Sequence, residues 1–214
     1  MKTIELKTTS YSGKDKINED YILCHKLSDN SLIAILADGM GGLSYGAEAA
    51  KIVSESIMTT ILDHVHDSSP EDVLRLAFDA ADTAISKKCR ELKCRMGAAV
   101  TVALIINDFL YYAWQGNVRL YKVCNGEPIL LSKDHIVADV ESPFLTRCVN
   151  GKGYRENVPI KQEQLGQTDR IYICSDGCYQ NINLYEIVSQ NIEFASDEVL
   201  EDDASLIEVK KLGS

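Results

Sequence analysis

A short apolar run that ends in an acid and a group of glycines sets the first limit on the fold. Residues 32–37 are apolar and lie between polar turn residues, which indicates a buried strand. Asp38 follows, and three of the next four residues are glycine, which lets the backbone approach a ligand closely. The loop can therefore offer the Asp38 carboxylate and a backbone carbonyl to a hard cation. A tight turn leading into a capped helix explains the same residues, so both interpretations stay open at this point.

More acids are expected to gather at the same place. Glu19 and Asp20 open a second strand-like run, and a polar turn at residues 29–30 leads from it into the strand before Asp38. In the antiparallel hairpin that this order predicts, the start of one strand lies beside the end of the other. Three carboxylates would then crowd one sheet edge, where like charges need a cation between them. The same arrangement of apolar strand, acid and glycine recurs at Asp176.

The remaining pattern predicts helices and a meander of strands. One helix is expected over residues 45–64, with Ser44 as its cap. A second is expected over residues 70–93, where Ser69 is the cap and Pro70 stands at the first helical position. Strands are predicted at residues 3–9, 97–106, 109–115, 118–124, 128–131, 170–174 and 204–210, and a short helix at 183–190.

Composition limits the class of protein. The 214 residues are 45% hydrophobic, which suits one globular domain spanning residues 1–214. The net charge of −10 argues against nucleic acid or an anionic membrane as partner and suits a protein that gathers divalent cations. No apolar run approaches the ~20 residues of a membrane span, and the N-terminal residues lack a signal-peptide core. Seven cysteines without a Cys-x-x-Cys pair indicate reduced thiols and a cytoplasmic location.

Several of these segments, taken in order, resemble the metal-dependent protein phosphatases (type 2C Ser/Thr phosphatases), in their compact bacterial form. The main segments that carry this resemblance are Asn18-Glu19-Asp20, Asp38-Gly39-Met40-Gly41-Gly42, Ser175-Asp176-Gly177 and Asp202-Asp203-Ala204-Ser205-Leu206-Ile207. Further matching segments are Met96-Gly97, Gly116-Asn117-Val118-Arg119-Leu120-Tyr121, Lys133-Asp134-His135 and Leu145-Thr146-Arg147. Each segment alone is weakly informative, but their order is specific, and the resemblance extends from about residue 11 to residue 209.

The resemblance implies an α+β fold, with a β-sandwich of two antiparallel sheets between helices in four αββα layers. It also implies a hydrolase that removes phosphate from phosphoserine or phosphothreonine with water activated by two Mg²⁺ or Mn²⁺ ions, without a covalent intermediate. Oxygen ligands suit such hard cations, and two cations can activate water and hold phosphate oxygens. The expected partner is a phosphorylated protein in signalling, with an opposing Ser/Thr kinase, and the expected state is a monomer.

The resemblance also assigns roles to individual residues. Asp38 would bridge the two ions, and the Gly39 carbonyl would bind one of them. Asp176 and Asp202 would bind the other, so that Asp38 and Asp176 act in catalysis through the bound water. Asp202 is preferred to Asp203 because a hydroxyl residue, Ser205, lies three positions after Asp202. Acids matching Glu19 and Asp20 would hold water bound to the metals.

Four departures from the family pattern bear on activity. Asp15 replaces an arginine that grips the substrate phosphate, so Lys14 or Lys16 would have to substitute as a point charge. Asn117 replaces a carboxylate of a third, weaker metal site, which should therefore be weakened or absent. Met40 replaces a general-acid histidine, as in bacterial-type members. Only about ten residues separate His135 from Leu145, so the flap subdomain should be reduced or absent.

Two other functions remain open from the sequence. A catalytically weak family member could serve as a regulatory module that binds phosphoproteins or partners, and the residues at positions 15 and 117 favour this alternative. An acidic Ca²⁺-binding protein is a second alternative, although the chain has no twelve-residue Ca²⁺ loop. Turnover of a phosphopeptide and metal selectivity would distinguish them.

Overall fold

The computed structural model describes residues 3–14, 17–40, 45–137, 144–181, 183–184, 186–187 and 200–212. Twelve strands and three helices are described. In chain order they are β1 (Thr3–Tyr11), β2 (Asp20–Ser28), β3 (Ser31–Gly39), α1 (Gly46–His64), α2 (Pro70–Leu92), β4 (Ala98–Ile106), β5 (Phe109–Gln115), β6 (Arg119–Cys124), β7 (Glu127–Leu130), β8 (Ile136–Val137), β9 (Phe144–Leu145), β10 (Ile160–Gln164), β11 (Arg170–Cys174), α3 (Asp176–Asn181) and β12 (Ala204–Leu212).

The strands form two five-stranded antiparallel sheets. One has the order β1-β12-β11-β6-β7 and the other β10-β5-β4-β3-β2. A two-stranded antiparallel sheet, β8-β9, stands apart from both sheets, and residues 138–143 between its strands lie outside the described residues. The reduction of the flap therefore stays a prediction. The predicted α+β fold with two antiparallel sheets is confirmed, and β1 lies at a sheet edge.

Strand β3 shows why its sequence is apolar without alternation. Ile33, Ile35 and Ala37 pack with the helices α1 and α2 in one core, whereas the alternate residues Leu32, Ala34 and Leu36 pack in a second core between the sheets. Successive side chains of a strand point to opposite faces, so a strand with helices on one side and a sheet on the other is apolar throughout. A third, smaller core lies on the outer face of β11 and β12, under α3.

The observed helices can be compared with the helix boundaries predicted from the sequence. In α2, Ser69 Oγ accepts a hydrogen bond from the Asp72 N–H at 3.2 Å, Pro70 is the first helical residue, and Lys93 follows the helix in the left-handed conformation. All three features confirm the prediction. Helix α1 also agrees, while its expected cap, Ser44, lies outside the described residues. Half of the residues in the expected helix over 183–190 lie outside them too, and α3 shortly after β11 was not predicted.

Candidate active site

The ends of four strands bring the predicted acids to one end of the sandwich. Asp20 and Asp38 lie side by side, as the predicted hairpin requires, and they are direct partners in the β2–β3 register. Asp176 begins α3 immediately after β11, and Asp202 precedes β12. A cavity of about 1050 Å³ opens there, and the predicted residues that line it are Glu19, Asp38, Gly39, Asn117, Asp176 and Asp202.

Asp38 lies at the centre of this negative charge. Burial raises the pKa of the Asp38 carboxyl well above its usual value, and the charges of Asp20, Asp176 and Asp202 raise it further. The Asp38 and Asp176 carboxyls are close enough for a hydrogen bond between them. Carboxyls packed so closely take up either a proton or a cation, since both cannot keep their charge unaided.

Asp20 is held by a serine from the other sheet. Ser175 Oγ donates to Asp20 Oδ2 at 2.7 Å and accepts from the backbone N–H of Ser205 at 2.9 Å. The second oxygen, Asp20 Oδ1, is buried and has no hydrogen-bond partner among the described residues. Burial raises the pKa of Asp20 to about 7, with the charges of Asp203 and Asp176 adding to the effect and the serine hydrogen bonds opposing it.

Asp176 differs from Asp20 because both of its carboxylate oxygens accept hydrogen bonds. Its Oδ1 accepts from the Gly177 N–H at 2.9 Å, and its Oδ2 accepts from Asn117 Nδ2 at 3.0 Å. Burial still raises the Asp176 pKa, and the charge of Asp202 acts in the same direction. The Asn117 side chain is therefore part of this site, where it donates to an acid and buries its own Oδ1 without a partner among the described residues.

The adjacent acids Asp202 and Asp203 take different positions. Asp203 is buried, and its two carboxylate oxygens accept from the backbone N–H groups of Gly13 and Glu19, both at 2.7 Å. This clamp joins the β1–β2 loop to the start of β12. Asp202 is exposed, and its charge acts on Asp38 and Asp176. The arrangement favours Asp202 as the acid that faces a cation and Asp203 as a structural acid.

Gly39 brings the end of β3 against the start of α1. A Cβ on Gly39 would collide with the backbone of Gly46, and a Cβ on Gly46 would collide with the Glu19 carboxylate. The Gly39 N–H donates to the Glu19 carbonyl at 3.0 Å. A side chain at Gly39 is therefore excluded by backbone, whereas one at Gly46 would displace the Glu19 carboxylate, which packs directly over the helix start.

The lysines expected to bind phosphate are less well placed. Lys14 is exposed on the β1–β2 loop, where its N–H donates to the Leu200 carbonyl at 2.8 Å, and it does not line the cavity. Asp15 and Lys16 lie outside the described residues. Arg119 is the one basic residue among the described residues that line the cavity. It pairs with Asp134 at 2.8 Å, and its guanidinium lies 3.7 Å from the centre of the Tyr179 ring.

Two features of the site were missed from the sequence. Ser175 and the group of Asp134, Arg119 and Tyr179 were not assigned to it, although Ser175 stands next to a predicted acid. A polar residue beside a strand-end acid is a signal that could have found the serine. No local pattern indicates which ring lies under Arg119, because α3 and β6 meet only in the folded sheet.

Oxygen donors and buried negative charge fit divalent cations. The acids supply carboxylates, Gly39 supplies a backbone carbonyl, and Asp20 Oδ1 is a buried oxygen that no described residue satisfies. Such donors suit Mg²⁺ or Mn²⁺. Within the described ranges, no three acidic, histidine or cysteine side chains already form a compact cation shell.

Comparison with known proteins agrees with this fold. The catalytic domain of the serine/threonine protein phosphatase PstP, solved in complex with two manganese ions, superposes with a TM-score of 0.78 at 21% identity over 100% of both chains. Serine/threonine phosphatase Stp1 of Staphylococcus aureus gives 0.81 at 18% identity over 99% of this chain and 96% of that one. A Mycoplasma genitalium sequence assigned as a protein phosphatase is 19% identical over 208 residues, covering 82% of this chain and 79% of that protein.

At these identities the solved structures establish a shared fold. The family assignment comes from a sequence model described as protein phosphatase 2C, which matches residues 9–206. The chain belongs to the protein phosphatase 2C family. No helix in the described part of the chain is both long and apolar enough to span a membrane.

Proposed function

We propose that this protein is a Mg²⁺- or Mn²⁺-dependent phosphatase that hydrolyses phosphoserine and phosphothreonine in proteins. The observation that carries the proposal is the direct pairing of Asp20 with Asp38 next to Asp176, with a buried Asp20 oxygen that lacks a partner among the described residues. Buried carboxylates in mutual contact are costly unless a cation neutralises them. Family membership supplies the reaction class.

In the proposed site, Asp38, Asp176, Asp202 and the Gly39 carbonyl would hold two cations, and Glu19 and Asp20 would orient water beside them. When bound, the cations would activate a water molecule for attack on phosphorus and neutralise the phosphate oxygens. Ser175 fixes the direction of the Asp20 carboxylate, and Asn117 fixes that of Asp176. Asn117 makes no acidic contribution, so a third cation should bind weakly or not at all.

Arg119 is the described group best placed to meet a phosphate. Its Nε and Nη2 donate to Asp134, which fixes the guanidinium plane at the cavity wall. Stacking on Tyr179 holds the other face. A guanidinium with remaining N–H groups there could take over part of the role that Lys14 and Lys16 were expected to fill.

We also propose where the protein acts and on which partners. We place the protein in the cytoplasm as a monomeric single domain, acting on phosphoproteins against a Ser/Thr kinase. Reduced cysteines fit this setting, since all seven are free thiols.

The test is phosphate release from a phosphothreonine peptide with Mn²⁺ or Mg²⁺, with and without EDTA. Activity should require the metal and disappear in Asp38→Asn. The matched control is Asp63→Asn, which changes an exposed acid on α1 and should keep wild-type activity. A folded protein that binds metal but releases no phosphate would instead favour a regulatory binding module, and one that binds no metal would refute the assigned site.

A further inference from the structure

The cavity that holds the acids also has an apolar edge. Ile17 and Phe144 are the two most exposed large hydrophobic side chains among the described residues, at 82% and 56%, and both line this cavity. They come from distant parts of the chain, one from the β1–β2 loop and the other from β9. Ile136, Leu145 and Met40 also line it. We call Ile17, Met40, Ile136, Phe144 and Leu145 the apolar rim.

Exposure of this kind indicates a binding surface. Single exposed apolar residues are ordinary on a protein surface, as the exposed Leu6, Leu62 and Leu76 illustrate. An apolar group gathered around a polar centre is different, because it exposes apolar area to water next to a site built for a ligand. The rim is continuous with the acid cluster in one cavity, so a ligand held by the acids would also touch the rim.

The charges of the cavity wall decide what kind of ligand fits. Arg119, the one basic residue among the described lining residues, already pairs with Asp134. Acidic residues on a substrate would therefore find only this paired guanidinium as a basic partner among the described lining residues, whereas apolar residues would cover the rim and lose water.

We propose that the apolar rim binds bulky apolar side chains that flank the phosphorylated residue, so that the preferred substrates are phosphoproteins with apolar rather than acidic residues beside the phosphate. This inference rests on the proposed phosphatase function and adds a substrate class to it. A cavity of about 1050 Å³ is large enough to hold neighbouring side chains together with the phosphorylated residue.

The experiment compares two phosphothreonine peptides that differ only in having leucine or alanine on both sides of the phosphorylated residue. In the wild-type protein with Mn²⁺, kcat/KM should be about tenfold higher for the leucine peptide. In the double variant Ile17→Ser, Phe144→Ser, the ratio of the two values should fall to near one. The control Ile129→Ser changes a residue on β7 with 50% exposure outside the cavity lining and should leave the ratio at its wild-type value.

The outcomes separate the rim from the phosphatase function. Equal kcat/KM for both peptides in the wild-type protein, or an unchanged ratio in the double variant, would overturn the rim proposal while leaving the function intact. If neither peptide is hydrolysed, the function fails, and the rim is then decided by anisotropy with labelled peptides that carry a non-hydrolysable phosphonate. Tighter binding of the leucine phosphonate that is lost in the double variant supports the rim, and equal binding overturns it.

Discussion

Two strand ends share a sequence pattern but surround their acids with different groups. At each, an apolar strand ends in aspartate and glycine: β3 at Asp38-Gly39 and β11 before Asp176-Gly177. Asp176 accepts hydrogen bonds from Gly177 and Asn117. Asp38 instead faces the charges of Asp20, Asp176 and Asp202 in a buried position.

The difference shows that a sequence pattern fixes where an acid stands but not how its charge is balanced. Donors around Asp176 favour its ionised form, whereas the acids around Asp38 disfavour ionisation until a cation arrives. We therefore expect Asp38 to depend on the cations more than Asp176 does. Four predictions test this contrast.

The largest effect is expected for Asp38→Asn. The amide removes the carboxylate charge on which both proposed cations would depend, so Mn²⁺ binding should be lost completely in calorimetry. The same change relieves repulsion in the cation-free protein, so the melting temperature in EDTA should equal or exceed that of the wild type. Retention of wild-type Mn²⁺ affinity, or a marked drop of the melting temperature in EDTA, would contradict the central position of Asp38.

Asp176→Asn should have a smaller effect. The variant loses one proposed ligand while Asp38 remains, so one of the two proposed cations should be lost and the other kept within about tenfold of its affinity. Calorimetric stoichiometry distinguishes this result from that of Asp38→Asn. If both variants lose both cations, Asp38 and Asp176 contribute equally to cation binding, and the expected difference between them is wrong.

Ser175→Ala should weaken the site through Asp20. Loss of the hydroxyl leaves the Asp20 carboxylate and the buried Ser205 N–H without this partner, which should cost about 1–3 kcal/mol of folding free energy. Mn²⁺ affinity should fall by about 10–100-fold, as for other groups that orient metal ligands. The control is Ser54→Ala, since Ser54 is fully buried in α1 and its Oγ has no hydrogen-bond partner among the described residues. That control should leave Mn²⁺ affinity unchanged.

The smallest effect is a pH dependence of the cation-free protein. The pKa of Asp20 is raised from 3.8 to about 7 by burial, so between these values the folded state binds more protons than the unfolded state. The free energy of unfolding in EDTA should therefore decrease as pH rises from about 4 to 7. Urea denaturation at several pH values measures this slope, which Asp20→Asn should reduce. In the same range, Mn²⁺ affinity should increase with pH because cation and proton compete for the carboxylates.

His135 gives the free energy of unfolding a pH dependence of the opposite sign. This contribution is the same in the wild type and in Asp20→Asn, so it cancels when the two proteins are compared. Burial and the charge of Arg147 lower the pKa of His135 to about 4, and its Nδ1 accepts from the Gly116 N–H at 3.1 Å. Between pH 4 and 6.5 the unfolded state binds this proton and the folded state does not, so this residue favours unfolding as pH falls. If the free energy of unfolding has the same slope with pH in the wild type and in Asp20→Asn, groups other than Asp20 cause the whole pH dependence.

The sequence predicted those parts of the fold that depend on local pattern. The two-residue turn between apolar strands predicted that Asp20 and Asp38 lie at the same end of a hairpin. Their direct pairing was not predictable, because it depends on an irregularity between Lys26 and Ser28 that shifts the register by one residue. The boundaries of α2 followed from its cap and its proline. Short α3 was not predicted, because residues 176–181 have no helical apolar period and the helix relies on burial of Cys178 and on Gly177 packing against the Asp203 carbonyl.

The parts of the site that were not predictable depend on distant residues. The resemblance chose Asp202 over Asp203 as a ligand, but it gave no role to Asp203, whose carboxylate is held by the N–H groups of Gly13 and Glu19, 190 and 184 positions away in the sequence. The link from Ser175 to Asp20 spans 155 positions. Such contacts require the two sheets to be in place, and a single sequence carries no local signal for them.

The Asp203 clamp also bears on the order of events during synthesis. A growing chain has its first strands and its Asp20–Asp38 hairpin long before β12 leaves the ribosome, yet Asp203 closes the β1–β2 loop only when β12 pairs with β1. Until then the loop that carries Glu19 has no clamp, and Asp176 and Asp202 are not held beside Asp38. The acid cluster of a nascent chain is therefore assembled only after β12 has been added.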